Sequence, residues 1–145
     1  KNTFPLIIMF EVFFDAPLQA VIIKLEGFLT PENYKIAWNK VIALLLEKKC
    51  HLILADASQH SVISKENQAW FKETLLPQIS QTSATLGKPI RFARIASNDV
   101  FNQAIMEKLS AFFSDTTTEA FFDFKPCKSL QEAKSWLMQQ TTPVK

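Results

Sequence analysis

Short apolar runs alternate along the chain with longer stretches in which apolar residues recur every third or fourth position, and this rhythm predicts the elements. Residues 6–14, "LIIMFEVFF", and 18–26, "LQAVIIKLE", read as two strands joined by a tight turn at Asp15–Pro17. The second strand puts Val21, Ile23 and Leu25 on one face and Lys24 and Glu26 on the other, so part of the sheet meets solvent. Thr30 then offers an N-cap and Pro31 suits the first helical position, where its missing N–H costs nothing. Tyr34, Trp38, Val41, Ile42 and Leu45 follow at helical spacing, and Lys48 and Lys49 complement the C-terminal dipole. "HLILAD" (51–56) is short, apolar and bounded by polar residues, as a buried parallel strand is.

Ser64 caps the next predicted helix, whose buried stripe takes in Trp70, Phe71, Thr74 and Leu75 and which Pro77 should end or kink. "PIRFARIA" (89–96) is a fourth strand. A third helix starts at Asn98, with Phe101, Ile105, Leu109 and Phe112 on one side. "EAFFDF" (119–124) is the last strand, and Ser129 with Glu132 forms a capping box at the start of the last helix. The predicted order is β-β-α-β-α-β-α-β-α. That order describes one α/β domain over residues 1–145, with a five-stranded, mostly parallel sheet and an antiparallel first strand.

Composition narrows the function. With 48% hydrophobic and 21% charged residues over 145 positions, the chain is globular, and thirteen Phe and three Trp supply much of its core volume. A net charge of +2, from basic residues scattered singly apart from Lys48-Lys49, argues against a nucleic-acid or polybasic membrane surface. Two cysteines, Cys50 and Cys127, are too few for a disulfide framework and read as thiols in a reducing compartment. The first apolar run, broken by Glu11 and closed by Asp15, falls short of the ~18 to 20 residues a membrane span needs. No secretory pattern is visible, so the expected location is cytoplasmic. Only Gly27 and Gly87 are present, too few for the phosphate cradles of dinucleotide or NTP sites, and no cofactor is expected.

"LILADASQHSVISKENQAWF" (52–71), "RFARIASNDVFNQ" and "SLQEAKSWL" together resemble the SpoIIAA-like proteins, small α/β domains related to the STAS domain. The likeness covers nearly the whole chain. It rests on a strand ending in Asp, a Trp in the following helix, a Ser-Asn-Asp helix start and a terminal Glu-Ala-x-x-Trp-Leu. It implies a binding or regulatory domain without catalytic residues, acting through a protein partner. In signalling members an Asp-Ser pair at a helix start carries the phosphorylated serine. Here the strand-end Asp is Asp56 and the pair falls on Ser64-Lys65, so the acceptor position holds Lys65 and Ser64 reads as an N-cap. Lipid-carrying relatives of the same superfold imply the alternative of a carrier for a small apolar ligand.

Asp56, Ser58, His60 and Ser61 include every member of a hydrolase triad. Triads converge from separate elements, however, and these residues share one short loop with no glycine for a nucleophile elbow. Asp56 is expected instead to bond nearby backbone N–H groups. Cys50 and His51 are adjacent, so a strand turns them to opposite faces, and with only His60 and Cys127 left no zinc site is expected. Ligands of parallel α/β sheets favour the carboxyl ends of the strands. Those ends carry Asp56, Ser58, Ser97, Asn98, Asp99 and the pair Phe124-Lys125, with Arg94 close enough to reach the same edge, and this is the candidate ligand or partner edge. The first strand is apolar on both faces, with Met9 and Phe13 on the second, so a homodimer or a partner complex through the hairpin is the other candidate interface.

Overall fold

The structure is a computed structural model that describes residues 10–27, 29–60, 64–96 and 122–139. Its centre is one five-stranded sheet in which spatial order follows chain order. The strands are β1 (Phe10–Asp15), β2 (Ala20–Gly27), β3 (Leu52–His60), β4 (Ile90–Ala96) and β5 (Phe122–Cys127). β1 runs antiparallel to β2 and every other pair is parallel, as the sequence predicts. Gln19, at φ 57°, closes the hairpin turn with its N–H on the Asp15 carbonyl. The predicted helix from Asn98 lies outside the described residues.

Helix α1 (Pro31–Lys48) starts as its sequence dictates, with the Thr30 hydroxyl accepting the Asn33 N–H and Pro31 in the first turn. It ends at Lys49, whose left-handed φ of 52° lets its N–H reach the last carbonyls. The second helical stretch comprises α2 (Lys65–Trp70), a wider π turn at Phe71–Leu75, and α3 (Leu76–Leu86). Pro77 does not end it. The wide turn lies just before the proline, which can donate no N–H and would crowd the carbonyl four residues back in a regular helix. Thr74, expected in the buried stripe, is exposed there and Trp70 is half-buried, and the buried positions are Asn67, Phe71, Leu75, Leu76, Ile79, Thr82 and Ser83. Helix α4 (Leu130–Met138) is capped by Ser129, which accepts the Glu132 N–H, while Glu132 Oε1 accepts the Lys128 N–H.

Two strands differ from expectation. β3 runs on through Ser58 and Gln59 to His60, because a bulge lets it keep pairing with β2: Lys24 faces Asp56, while Glu26 faces Gln59. β5 runs three residues past its predicted end and includes Pro126, which an edge strand tolerates because one side of it needs no donor.

The alternation of side chains sorts the sheet into two faces. One face carries Val12, Ile23, Ile53 and Phe92, and it meets α1 and the second helical stretch. There Trp38 packs edge-on to Phe71 with centroids 5.6 Å apart, Phe92 lies 5.6 Å from Trp38, and Phe124 closes on Phe92 at 5.3 Å. The other face carries Leu52, Arg91 and Cys127 and meets α4, where Arg91 stacks on the Trp136 ring at 4.1 Å. No helix among the described residues is long and apolar enough to cross a membrane.

Phe92 joins α1 and the second helical stretch to the sheet through three rings. Phe92→Ala should therefore cost about 3 to 5 kcal/mol. Urea unfolding at pH 7 measures this, and a loss below about 1 kcal/mol would mean the seam closes over the missing ring.

Candidate functional site

At the carboxyl edge of the parallel strands the bulge determines the local chemistry. β3 inserts one more residue than β2 between the paired positions, leaving the Ser58 N–H without a ladder partner. Asp56 Oδ1 accepts that N–H at 3.1 Å and the Ser58 hydroxyl at 2.6 Å. Asp56 therefore bonds a nearby backbone N–H, as the sequence suggests, but from within a strand and not from a loop. Both groups are half-buried.

Arg94, expected at the same edge, is separated from Asp56 by the sheet. Its strand partner is Ala55, whereas Asp56 is level with Ile95, so the two side chains leave opposite faces. Arg94 turns under the helices and is only 2% exposed. Tyr34, from the first turns of α1, is its electrostatic neighbour there. Burial disfavours the charge and pulls the Arg94 pKa down, with Tyr34 acting the other way. Burial in turn pushes the Tyr34 phenol up from 10.0 to about 12, against the opposing pull of Arg94. The Trp38 indole N–H lies close enough to Tyr34 to favour its ionised form, yet it closes no hydrogen bond of good geometry. Arg94 Nε is likewise buried without a hydrogen-bond partner among the described residues. Ser97, Asn98 and Asp99 lie outside the described residues.

The serine at the next helix start is occupied. Ser64 Oγ accepts the Asn67 N–H at 3.0 Å, and Lys65 beside it is exposed. Asn67 then uses its side-chain N–H₂ on the Leu29 carbonyl at 3.1 Å, tying the start of α2 to the segment before α1. Nothing in the sequence marked Asn67 as a buried tether, because its partner is a backbone carbonyl far along the chain.

The cysteines are buried and free, and each thiol donates to backbone carbonyls: Cys50 to Gln19 at 3.2 Å, Cys127 to Lys125 at 3.7 Å. Burial raises both pKa values. For Cys127 the raise reaches about 11, with Glu132 adding to the effect. Neither is a ready nucleophile at neutral pH. Among the described residues no three His, Cys, Asp or Glu side chains gather closely enough to hold a metal.

Of the hairpin interface candidates, Met9 lies outside the described residues and Phe13 is half-buried on the face turned away from α1. Phe13 pairs across the hairpin with Ile22, flanked on that face by exposed Glu11, Lys24 and Glu26. Phe10, Val12 and Phe14 occupy the covered face, where Lys40 and Lys48 of α1 lie over the Phe10 and Phe14 rings at 5.7 and 5.5 Å.

Two measurements check this geometry. Ser64→Ala should lose about 1 kcal/mol in urea unfolding while Ser64→Asp stays near wild type, since aspartate also caps and its charge suits a helix N-terminus. The reverse ranking would mean that the hydroxyl has another role. For Tyr34, a folded-state pKa above the unfolded value means that stability is fully present below pH 10 and is lost as pH rises toward about 12. The stability of wild type relative to Tyr34→Phe should fall steadily between pH 9 and pH 11. A constant difference would show that the phenol is free to ionise in the folded state.

No protein-family model matches the chain, and no curated protein matches it.

Proposed function

We propose that the chain is a binding domain without chemistry of its own, which acts by receiving a protein partner at the carboxyl edge of its parallel strands. The observation that carries this reading is that the edge's described hydroxyls already hold partners within the chain. Ser58 donates to Asp56, and Thr30 and Ser64 accept backbone N–H groups as the caps of α1 and α2. Groups committed in this way shape a surface and do not turn over substrate. The raised thiol pKa values of Cys50 and Cys127 agree with that. So does the SpoIIAA-like resemblance, with Lys65 at the family's phosphoacceptor position, where binding cannot be switched by phosphorylating a serine. The rigid support is there: β3 is central, and its end is fixed by the bulge and by the tether of Asn67 to Leu29.

A photo-crosslinking residue placed at exposed Gln59, on this edge, should yield one discrete adduct in cells. The same residue at exposed Glu47, at the opposite edge, should yield none. Ester, phosphate-monoester and peptide substrates should show no turnover above buffer. Turnover abolished by Ser58→Ala, or equal adducts from both positions, would overturn the reading.

A further inference from the structure

The amino edge of the sheet, opposite the proposed partner edge, holds a hollow of about 400 Å³. That is within the range of roughly 300–1,000 Å³ typical of small-ligand sites. Its apolar wall comes from four side chains of three separate segments: Leu18, Leu52, Leu137 and Met138. Met138 is 64% exposed, an apolar side chain left standing in solvent at the rim.

The polar part of the lining is cationic. Arg91 is only 7% exposed, and its Nη1 donates to the Gln139 carbonyl at 2.7 Å, which closes the end of α4. Its Nε is sealed from solvent and has no hydrogen-bond partner among the described residues, so Arg91 lends the hollow its charge and not that donor. No carboxylate among the described residues pairs with this nearly buried guanidinium, so the site favours a negatively charged ligand. His51 joins Arg91 in the lining. Its pKa is pulled down first by burial and then by the charges of Lys88 and Arg91, so both cations act on this spot. Asp123, the strand neighbour of Arg91, is exposed and makes no ion pair with it among the described residues.

An apolar wall facing a buried guanidinium defines the ligand class. We propose that this hollow binds a small organic carboxylate, with its carboxylate on Arg91 and His51 and its apolar body against Leu18, Leu52, Leu137 and Met138. The site stands independently of the partner edge. Inorganic phosphate lacks the apolar body, and a neutral isostere lacks the charge, so each tests one half of the recognition.

The experiment is an NMR titration of the full chain with benzoate, phenylacetate and hexanoate, following the Arg91 Nε–H and the amides of Leu52 and Gln139. At least one carboxylate should shift these signals saturably. Benzamide and inorganic phosphate should bind about tenfold more weakly or less, the loss expected when a charge-assisted hydrogen bond or the apolar contact is removed. Met138→Glu, a change at an exposed position that leaves the core intact, should weaken the carboxylate by a similar factor by placing a like charge at the rim. Arg91→Lys, which keeps the charge but loses the planar fork, should also weaken it. The proposal is overturned if no carboxylate shifts the Nε–H, if benzamide binds as well as benzoate, or if Met138→Glu leaves the titration unchanged.

Discussion

The contact of Phe92 with Trp38, Phe71 and Phe124 joins parts of the chain that nothing local brings together. Trp38 lies mid-way along α1, Phe71 begins the wide turn of the second helical stretch, and Phe124 lies on the edge strand. Rings in tilted and edge-on contact bury large areas with a preferred geometry, so they fix where each element lies and do more than exclude water. With the seam set, β4 has no freedom over which way its other side chains point. Period two then places Arg94 on the seam's side, under the helices beside Tyr34, and Arg91 on the other, against Trp136.

Two arginines three positions apart on one strand thus have different roles. An odd spacing on a strand always separates side chains across the sheet, a fact already present in "IRFARIA". Its place near the end of the strand leads one to expect Arg94 at the carboxyl edge. The structure buries it because the aromatic neighbours Trp38 and Phe92 need that face, and a side chain two residues from Phe92 must share it. Arg91 was not singled out at all. Its signal was present in the terminal "KSWL", where Trp136 offers a ring face for a guanidinium, but only the tertiary pairing of α4 with β4 reveals the match.

Elements with a strong local signature were legible from sequence. The caps at Thr30, Ser64 and Ser129, the antiparallel hairpin and the parallel order all follow from residue types whose preferences act within a few positions. What was not legible depends on partners distant in the chain. Asp56 and Ser58 look like loop residues, yet they lie within β3 because β2 offers a pairing partner beyond a bulge. The last strand is expected to stop at Phe124, yet β5 runs through Pro126 because it is an edge. Pro77 is expected to end or kink its helix, and the wide turn before it lets the helix continue. In each case the local preference was real, and a tertiary contact outweighed it.

The same distinction separates the two edges of the sheet. At the carboxyl edge the polar groups find partners nearby: Ser58 two residues from Asp56, Ser64 three from Asn67, Thr30 three from Asn33. Local bonds of this kind hold the described part of that edge in one arrangement. At the amino edge Arg91 reaches far along the chain for the Gln139 carbonyl, and no carboxylate among the described residues pairs with it, in a hollow lined by both apolar and polar groups. A buried charge without an opposite charge beside it is a standing cost to the folded state. An anion in that hollow would reduce the cost, whereas the locally satisfied groups of the carboxyl edge leave no such charge to be met.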